Sequence, residues 1–159
     1  MTLGVISDTH GDRAAIRRAM AAAGEVDGWI HLGDHYRDAA ILKESGCEVF
    51  AVAGNCDYGG ESELVLGVVG TKLLLTHGHM YGVAFSLDKL CYRAEELGCS
   101  AALFGHTHIQ LLEEGGEVLL LNPGSPSRPR GGSRPGYALL YIGEDGSLDA
   151  DLMGLHMED

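Results

Sequence analysis

Apolar residues in this chain come in short runs separated by Gly, Pro and small polar residues. Runs at about 3–7, 28–32, 48–53, 63–69, 71–76, 101–104, 109–113, 117–121, 136–142 and 147–152 have the length and flanking turn signals of strands. Helical spacing lies between several of them. Residues 13–23 are Ala-rich behind Asp12, a helix N-cap type, and 37–45 end before Gly46, a residue suited to the position just past a helix. The clearest helix is predicted over 83–97, where Val83, Leu87, Leu90, Ala94 and Leu97 share one face and Gly98 ends the pattern. Gly70 and the Gly115-Gly116 pair read as hairpin turns. β-α alternation in the first half therefore gives way to antiparallel strands, which predicts mixed sheets with helices outside them, an α/β (α+β) fold. All four prolines fall between Pro123 and Pro135, so this stretch is expected to be a long ordered loop.

Composition narrows the class. A chain of 159 residues predicts a single domain, 1–159, able to bury a core without disulfides. Its 45% apolar and 21% charged residues exclude disorder and collagen. The formal charge of −12 makes long nucleic acid a poor partner, since that affinity comes from Lys and Arg displacing counterions. Cys47, Cys56, Cys91 and Cys99 form no C-x-x-C pair and are expected to be reduced thiols. No run has the length of a membrane span and no basic leader precedes Leu3–Ile6, so a soluble, cytoplasmic protein without a membrane partner is expected.

Five of the strand-like runs end in polar clusters of one kind. They are Ser7-Asp8-Thr9-His10-Gly11, Gly33-Asp34-His35, Gly54-Asn55-Cys56-Asp57, Thr76-His77-Gly78-His79 and Gly105-His106-Thr107-His108, and they hold six of the eight histidines. Ligands in open α/β sheets bind beyond the carboxyl ends of strands, so these clusters are predicted to converge on one crevice. Asp, Asn and His without thiolate suit divalent first-row metals such as manganese, iron, cobalt, nickel or zinc, and manganese is the ion expected. Two carboxylates against two divalent ions leave a positive surplus even with a bridging hydroxide, which suits a phosphodiester. Two such ions clamp the attacking and leaving oxygens of an in-line displacement.

In order and spacing, Asp8-x-His10, Gly33-Asp34, Gly54-Asn55, His77-Gly78-His79 and Gly105-His106-Thr107-His108 resemble the calcineurin-like metallophosphoesterase superfamily. The small size, the Gly-Asn-Cys-Asp form and the Asn122-Pro-Gly-Ser125 loop resemble its compact phosphodiesterase branch. The resemblance implies a four-layer αββα sandwich of two mixed sheets. It further implies one metal held by Asp8, His10 and His108, a second held by Asn55, His77 and His106, and Asp34 bridging them. Asp34, Asn55 and His106 are the residues it brings to the reacting centre. The implied activity is dimetal hydrolysis of small phosphodiesters by bridging-hydroxide attack, and compact members often form homo-oligomers. Phosphomonoesterase or nucleotide-pyrophosphate hydrolase activity would use the same site. The retromer subunit uses this fold as a protein-binding scaffold, but here all seven ligand positions keep metal-competent side chains.

One position departs from the larger members, which carry His after the Asn where this chain has Cys56. A thiol is a poorer acid for that task than imidazole. This predicts a preference for esters with acidic leaving groups or another acid, with His79 or His35 as candidates. His79 alternatively orients a ligand from behind. Cys56 as a covalent nucleophile is disfavoured, because the Arg expected six positions later is Ser62. No P-loop or nucleophile-elbow motif occurs. Among Arg128, Arg130 and Arg134, one is predicted to contact substrate phosphate, a solvated loop being the plainer reading. His31 is expected to be a satisfied core or edge residue, and His156 part of an acidic tail. Gly11, Gly33, Gly54, Gly78 and Gly105 each adjoin an expected ligand, where sharp turns need permissive backbone.

Overall fold

A computed structural model of the protein describes residues 1–155, so His156 lies outside the described residues. Ten strands among them form two five-stranded sheets. The first runs, in spatial order, β10 (Leu148–Gly154), β9 (Gly136–Ile142), β1 (Thr2–Ile6), β2 (Gly28–His31) and β3 (Glu48–Ala51). The second runs β4 (Glu63–Val68), β5 (Thr71–Thr76), β6 (Ala101–Leu103), β8 (Leu119–Pro123) and β7 (Gln110–Glu113). Every predicted run is a strand, with ends displaced by no more than one or two residues.

The central strands are apolar at almost every position because both of their faces are covered. Leu3, Val5, Ile30, Leu32, Leu73, Leu75, Leu103 and Leu121 point inward and form the core between the sheets. Their neighbours in sequence point outward, as the two-residue period of a strand demands. Ile6 and Trp29 pack under α1 (Arg13–Ala23) through Ile16 and Ala19, and under α2 (Ala39–Leu42) through Ile41 and Leu42. Leu74, Ala102 and Leu120 pack on the other side under Leu90 and Ala94 of α3 (Asp88–Glu96). The layers are thus helix, sheet, sheet, helix, as expected.

Three details of the prediction need correction. The second half is not simply antiparallel: β5, β6 and β8 are parallel to one another, with β4 and β7 antiparallel at the edges. Hydrophobic pattern alone does not distinguish these pairings, because α3 and the β7 hairpin both return the chain to the same sheet end. The 37–45 helix is a single α turn between 3₁₀ turns at Tyr36–Asp38 and Lys43–Ser45. Its first turn is tightened where Tyr36 N–H donates to Asp57 and the Asp38 carboxylate faces Thr9 and Gly11. The helix over 83–97 begins only at Asp88, since Phe85 and Ser86 N–H groups bond back to Gly82 in a separate turn. All five predicted face residues still pack in one outer cluster. Asp12 caps α1 as expected, accepting from Ala15 N–H at 3.0 Å. The four cysteines are free thiols.

Strands β1, β2 and β3 run parallel in one sheet and β5, β6 and β8 in the other. The loops that leave their carboxyl ends carry all five polar clusters.

Candidate metal centre

The β1 loop brings Asp8 and His10, the β2 loop Asp34, and the β6 loop His108. One donor atom from each of these four lies within 4.8 Å of the other three. Asp8, Asp34 and His108 are buried. His108 Nδ1 donates to Arg128 O at 2.6 Å, so its Nε2 carries the lone pair, and that atom faces Asp8 Oδ1 at 3.2 Å and His10 Nε2 at 3.4 Å. His10 Nε2 lies 3.9 Å from Asp34 Oδ2.

On the other side of Asp34 stands His77. Its Nδ1 donates to Leu32 O at 2.7 Å, leaving a bare Nε2 at 3.4 Å from Asp34 Oδ1 and 3.7 Å from Asp8 Oδ1. Neither His77 Nε2 nor Asp8 Oδ1 has a hydrogen-bond partner, although both are buried. Lone pairs facing carboxylate oxygens repel unless a proton or a cation lies between them. Burial disfavours a charged His77 ring, yet the close approach of the Asp34 carboxylate, the charge of Asp8 and the Leu32 carbonyl outweigh it and raise its pKa. Burial likewise works against the Asp34 carboxylate, but His77 and the Cys56 N–H lower its pKa well below the usual range. This donor set fits a divalent cation. Asn55 and His106 complete the expected ligands at the solvent edge, joined by an Nδ1 to Oδ1 bond of 3.1 Å. Burial lowers the pKa of both His10 and His106.

Asp8, His10, Asp34, His106 and His108 all take positive φ, the left-handed region that costs a side-chain-bearing residue about 1–2 kcal/mol. Asp and His are among the residue types that tolerate it best. The glycines beside them serve two purposes rather than the one expected. Gly11, Gly33 and Gly78 have positive φ, but Gly54 and Gly105 do not. A Cβ on Gly54 would collide with Asp34 Oδ1, and one on Gly105 with Ser7 Oγ and Asp8 Oδ2. Those two are glycine for space.

The ligand positions rest on groups to which the sequence reading gave no supporting role. Ser7 Oγ donates to Asp8 Oδ2 at 2.7 Å, and Ser125 Oγ to Asp8 O at 2.8 Å. Asn122 donates to Gly105 O at 3.1 Å and to Thr107 Oγ1 at 2.9 Å. Only the Asn122-Pro-Gly-Ser125 resemblance signalled the last two. His31 is a satisfied core residue: its Nδ1 accepts from Gly33 N–H at 3.1 Å, and its Nε2 donates to Thr9 Oγ1 at 2.8 Å. Thr9 in turn donates to buried Asp38 at 2.6 Å. Burial pushes the His31 pKa down to about 4, which keeps the ring neutral.

Around the rim, Cys56 is exposed and its N–H donates to Asp34 Oδ1 at 3.0 Å. Burial and the nearby Asp34 charge raise its thiol pKa. His79 stands beside His77 and His106, with ring centroids 5.5 and 6.1 Å away. His35 points its Nδ1 at Asp38 Oδ1, 2.8 Å away. Arg128 is exposed, close enough to His10 to bear on its charge, and Arg130 is exposed with its N–H on His108 O. Arg134 differs: it is tied to Gln110 Oε1 at 3.1 Å and Leu152 O at 2.9 Å, bracing the loop base against β10. That removes it from the substrate-contact candidates.

Residues 1–145 match the model of the calcineurin-like phosphoesterase superfamily domain. The chain belongs to that superfamily. It is 38% identical to the Probable metallophosphoesterase YsnB of Bacillus subtilis, over all of this chain and 96% of that protein. It is 30% identical to Phosphodiesterase YfcE of Escherichia coli, covering 88% of this chain and 87% of the relative. A solved phosphoesterase-like protein from Streptococcus pneumoniae superposes with a TM-score of 0.79 at 33% identity, covering 98% of this chain and 92% of its own. Vps29 of Entamoeba histolytica, solved with zinc, shares the fold at 20% identity and a TM-score of 0.73, over 95% of this chain and 97% of its own. As a member of this metallophosphoesterase family the protein is a phosphoester hydrolase, and the family implies divalent metal ions.

Proposed function

We propose that the protein hydrolyses small phosphodiesters at a two-metal centre, in the cytoplasm. The pair of buried, partnerless atoms Asp8 Oδ1 and His77 Nε2, 3.7 Å apart with Asp34 Oδ1 3.4 Å from the latter, carries this reading. Asp8, His10 and His108 would hold one ion, Asn55, His77 and His106 the other, with Asp34 shared. When bound, such ions supply Lewis acidity and an activated water. The mixed carboxylate, amide and imidazole donors suit divalent first-row ions, and manganese is the ion proposed, with nickel, iron, cobalt and zinc as the alternatives.

The chain's own groups set the rest. The Leu32 and Arg128 carbonyls hold the His77 and His108 rings so that Nε2 faces the centre. Ser7 and the His106 N–H occupy Asp8 Oδ2 and leave Oδ1 free. Asn55 and His106, at the open edge, are the ligands that a substrate reaches first. Arg128, beside His10, supplies positive charge for the phosphate, with Arg130 next along the loop. Cys56 stays a thiol and gives only weak proton donation, so esters with acidic leaving groups are favoured. The name of the Escherichia coli relative supports diesters over monoesters.

The test is reconstitution of metal-free protein with single divalent metals, assayed on mono- and diesters with Asp34→Asn as control. Hydrolysis without metal, or unaffected by Asp34→Asn, would overturn the mechanism. No hydrolysis of any ester would favour a protein-binding scaffold, a reading that draws on the fold shared with Vps29.

A further inference from the structure

A cavity of about 690 Å³ lies at the start of β1 beside Asp27 and Cys47, at the sheet end away from the metal centre. It contains none of the expected ligands. A smaller pocket of about 180 Å³ is different. It is lined by His35, Tyr36, Arg37, Cys56, Asp57 and Tyr58, so its two walls are the segments that directly follow Asp34 and Asn55.

These walls are locked together. Asp57 Oδ1 accepts from His35 N–H at 2.8 Å and from Tyr36 N–H at 3.2 Å, and its Oδ2 accepts from Gly54 N–H at 2.8 Å. Its charge is therefore spent on backbone donors within the pocket wall. The Arg37 guanidinium has no ion pair or hydrogen bond among the described residues, and Tyr58 is 91% exposed. Besides the exposed His35 ring and Cys56 thiol, the pocket thus offers a ligand one guanidinium with no partner among the described residues and two phenol rings, in a protein of net charge −12. A guanidinium and aromatic rings on one small concavity favour a flat π-system with an electron-rich edge.

We infer that this pocket is a specificity subsite that takes an aromatic group on the phosphodiester, with Tyr58 stacking on its ring and Arg37 holding its edge. The inference rests on the phosphodiesterase reading and names the class of ester it selects. The retained ester group, and not only the leaving group, then determines which diesters are turned over. Tyr58 follows the Asn55 ligand by three positions and Arg37 follows Asp34 by three, so the groove and the reacting centre share their loops. An aliphatic ester group gains little there, because it offers no π-face to Tyr58 and no electron-rich edge to Arg37.

The test holds the leaving group constant. For 4-nitrophenyl phenyl phosphate against 4-nitrophenyl methyl phosphate, the ratio of kcat/KM should favour phenyl and fall about tenfold in Tyr58→Ala, the scale of one lost ring stack. Tyr58→Phe should retain most of the ratio, and Arg37→Gln should lower it a fewfold. An unchanged ratio in both Tyr58→Ala and Arg37→Gln would overturn the subsite while leaving the diesterase reading intact. A second measurement separates the two claims. Calorimetric binding of benzylphosphonate against methylphosphonate to the metal-loaded protein should show a Tyr58-dependent preference for benzyl. If no diester is hydrolysed yet that preference persists, the reaction was misassigned and the aromatic pocket stands.

Discussion

The two halves of the metal centre are built differently. Asp8, His10, Asp34 and His108 are packed with donors already within 4.8 Å of one another, and three of the four are buried. Asn55 and His106 stand at the solvent edge, and their side meets Asp34 through fully buried His77 and through the Cys56 N–H. The first half sits on strained left-handed turns braced by Ser7, Ser125 and the His31–Thr9–Asp38 chain. The second depends on exposed Asn55 and on half-buried His106, which shares the β6 loop with His108. A preformed buried site loses little on binding an ion, whereas ordering loop side chains costs entropy. One ion should be held firmly and the other should exchange.

The sharpest way to break this picture is at the shared residue. Asp34→Asn should lower kcat/KM on a diester by roughly 10³-fold or more, the scale of losing about 4 kcal/mol of charge stabilisation. Calorimetry should show the wild type binding ions in two separable steps. Asn55→Ala should abolish the weaker step alone, and Asp8→Asn the tighter one. A single step of two equal sites would remove the distinction.

Next comes the bracing behind the buried half. The His31 pKa of about 4 lies below its ordinary 6.5, so the unfolded chain binds a proton that the native state refuses between those values. The contribution of neutral His31 is complete above about pH 7 and is lost as pH falls from 6.5 to 4, up to about 3 kcal/mol. Denaturant titrations of metal-free wild type and His31→Gln across pH 7 to 4 should diverge in slope over that window. Parallel curves would show that the ring is not held neutral.

A smaller effect is expected from Ser125→Ala, which releases Asp8 O: metal affinity at the tight step should fall about 10–100-fold, with the weak step little changed. The smallest contrast lies along the basic loop. Arg128→Ala should raise KM about tenfold, while Arg134→Ala should leave KM alone and cost about 1 kcal/mol of stability, since its bonds go to Gln110 and Leu152. A KM rise in both variants would return Arg134 to the substrate side.

Much of this was legible in the chain because its elements are short and punctuated. Leu73 to Leu75 ending in Thr76-His77-Gly78-His79 announces both a buried strand and the polar loop that leaves it. The start of α3 was not legible, since the apolar period from Val83 continues through a turn that only the bonding back to Gly82 interrupts. Nor was the role of Gly54 and Gly105, because the atoms that exclude a Cβ come from Asp34, Ser7 and Asp8 in distant segments. Arg128 and Arg134 looked alike in sequence. What separates them is which strands the loop happens to cross.

By itself the sequence determined the strands, the cap of α1, the apolar face of α3, the metal-competent donors and their order along the chain, because these depend on local period and side-chain chemistry. Tertiary structure alone decided that the donors form one buried, tight group and one more open one, and that Arg37 and Tyr58 line one pocket with Cys56 and Asp57. It did so because distances between segments many residues apart follow from how two sheets stack, and no local pattern encodes that stacking.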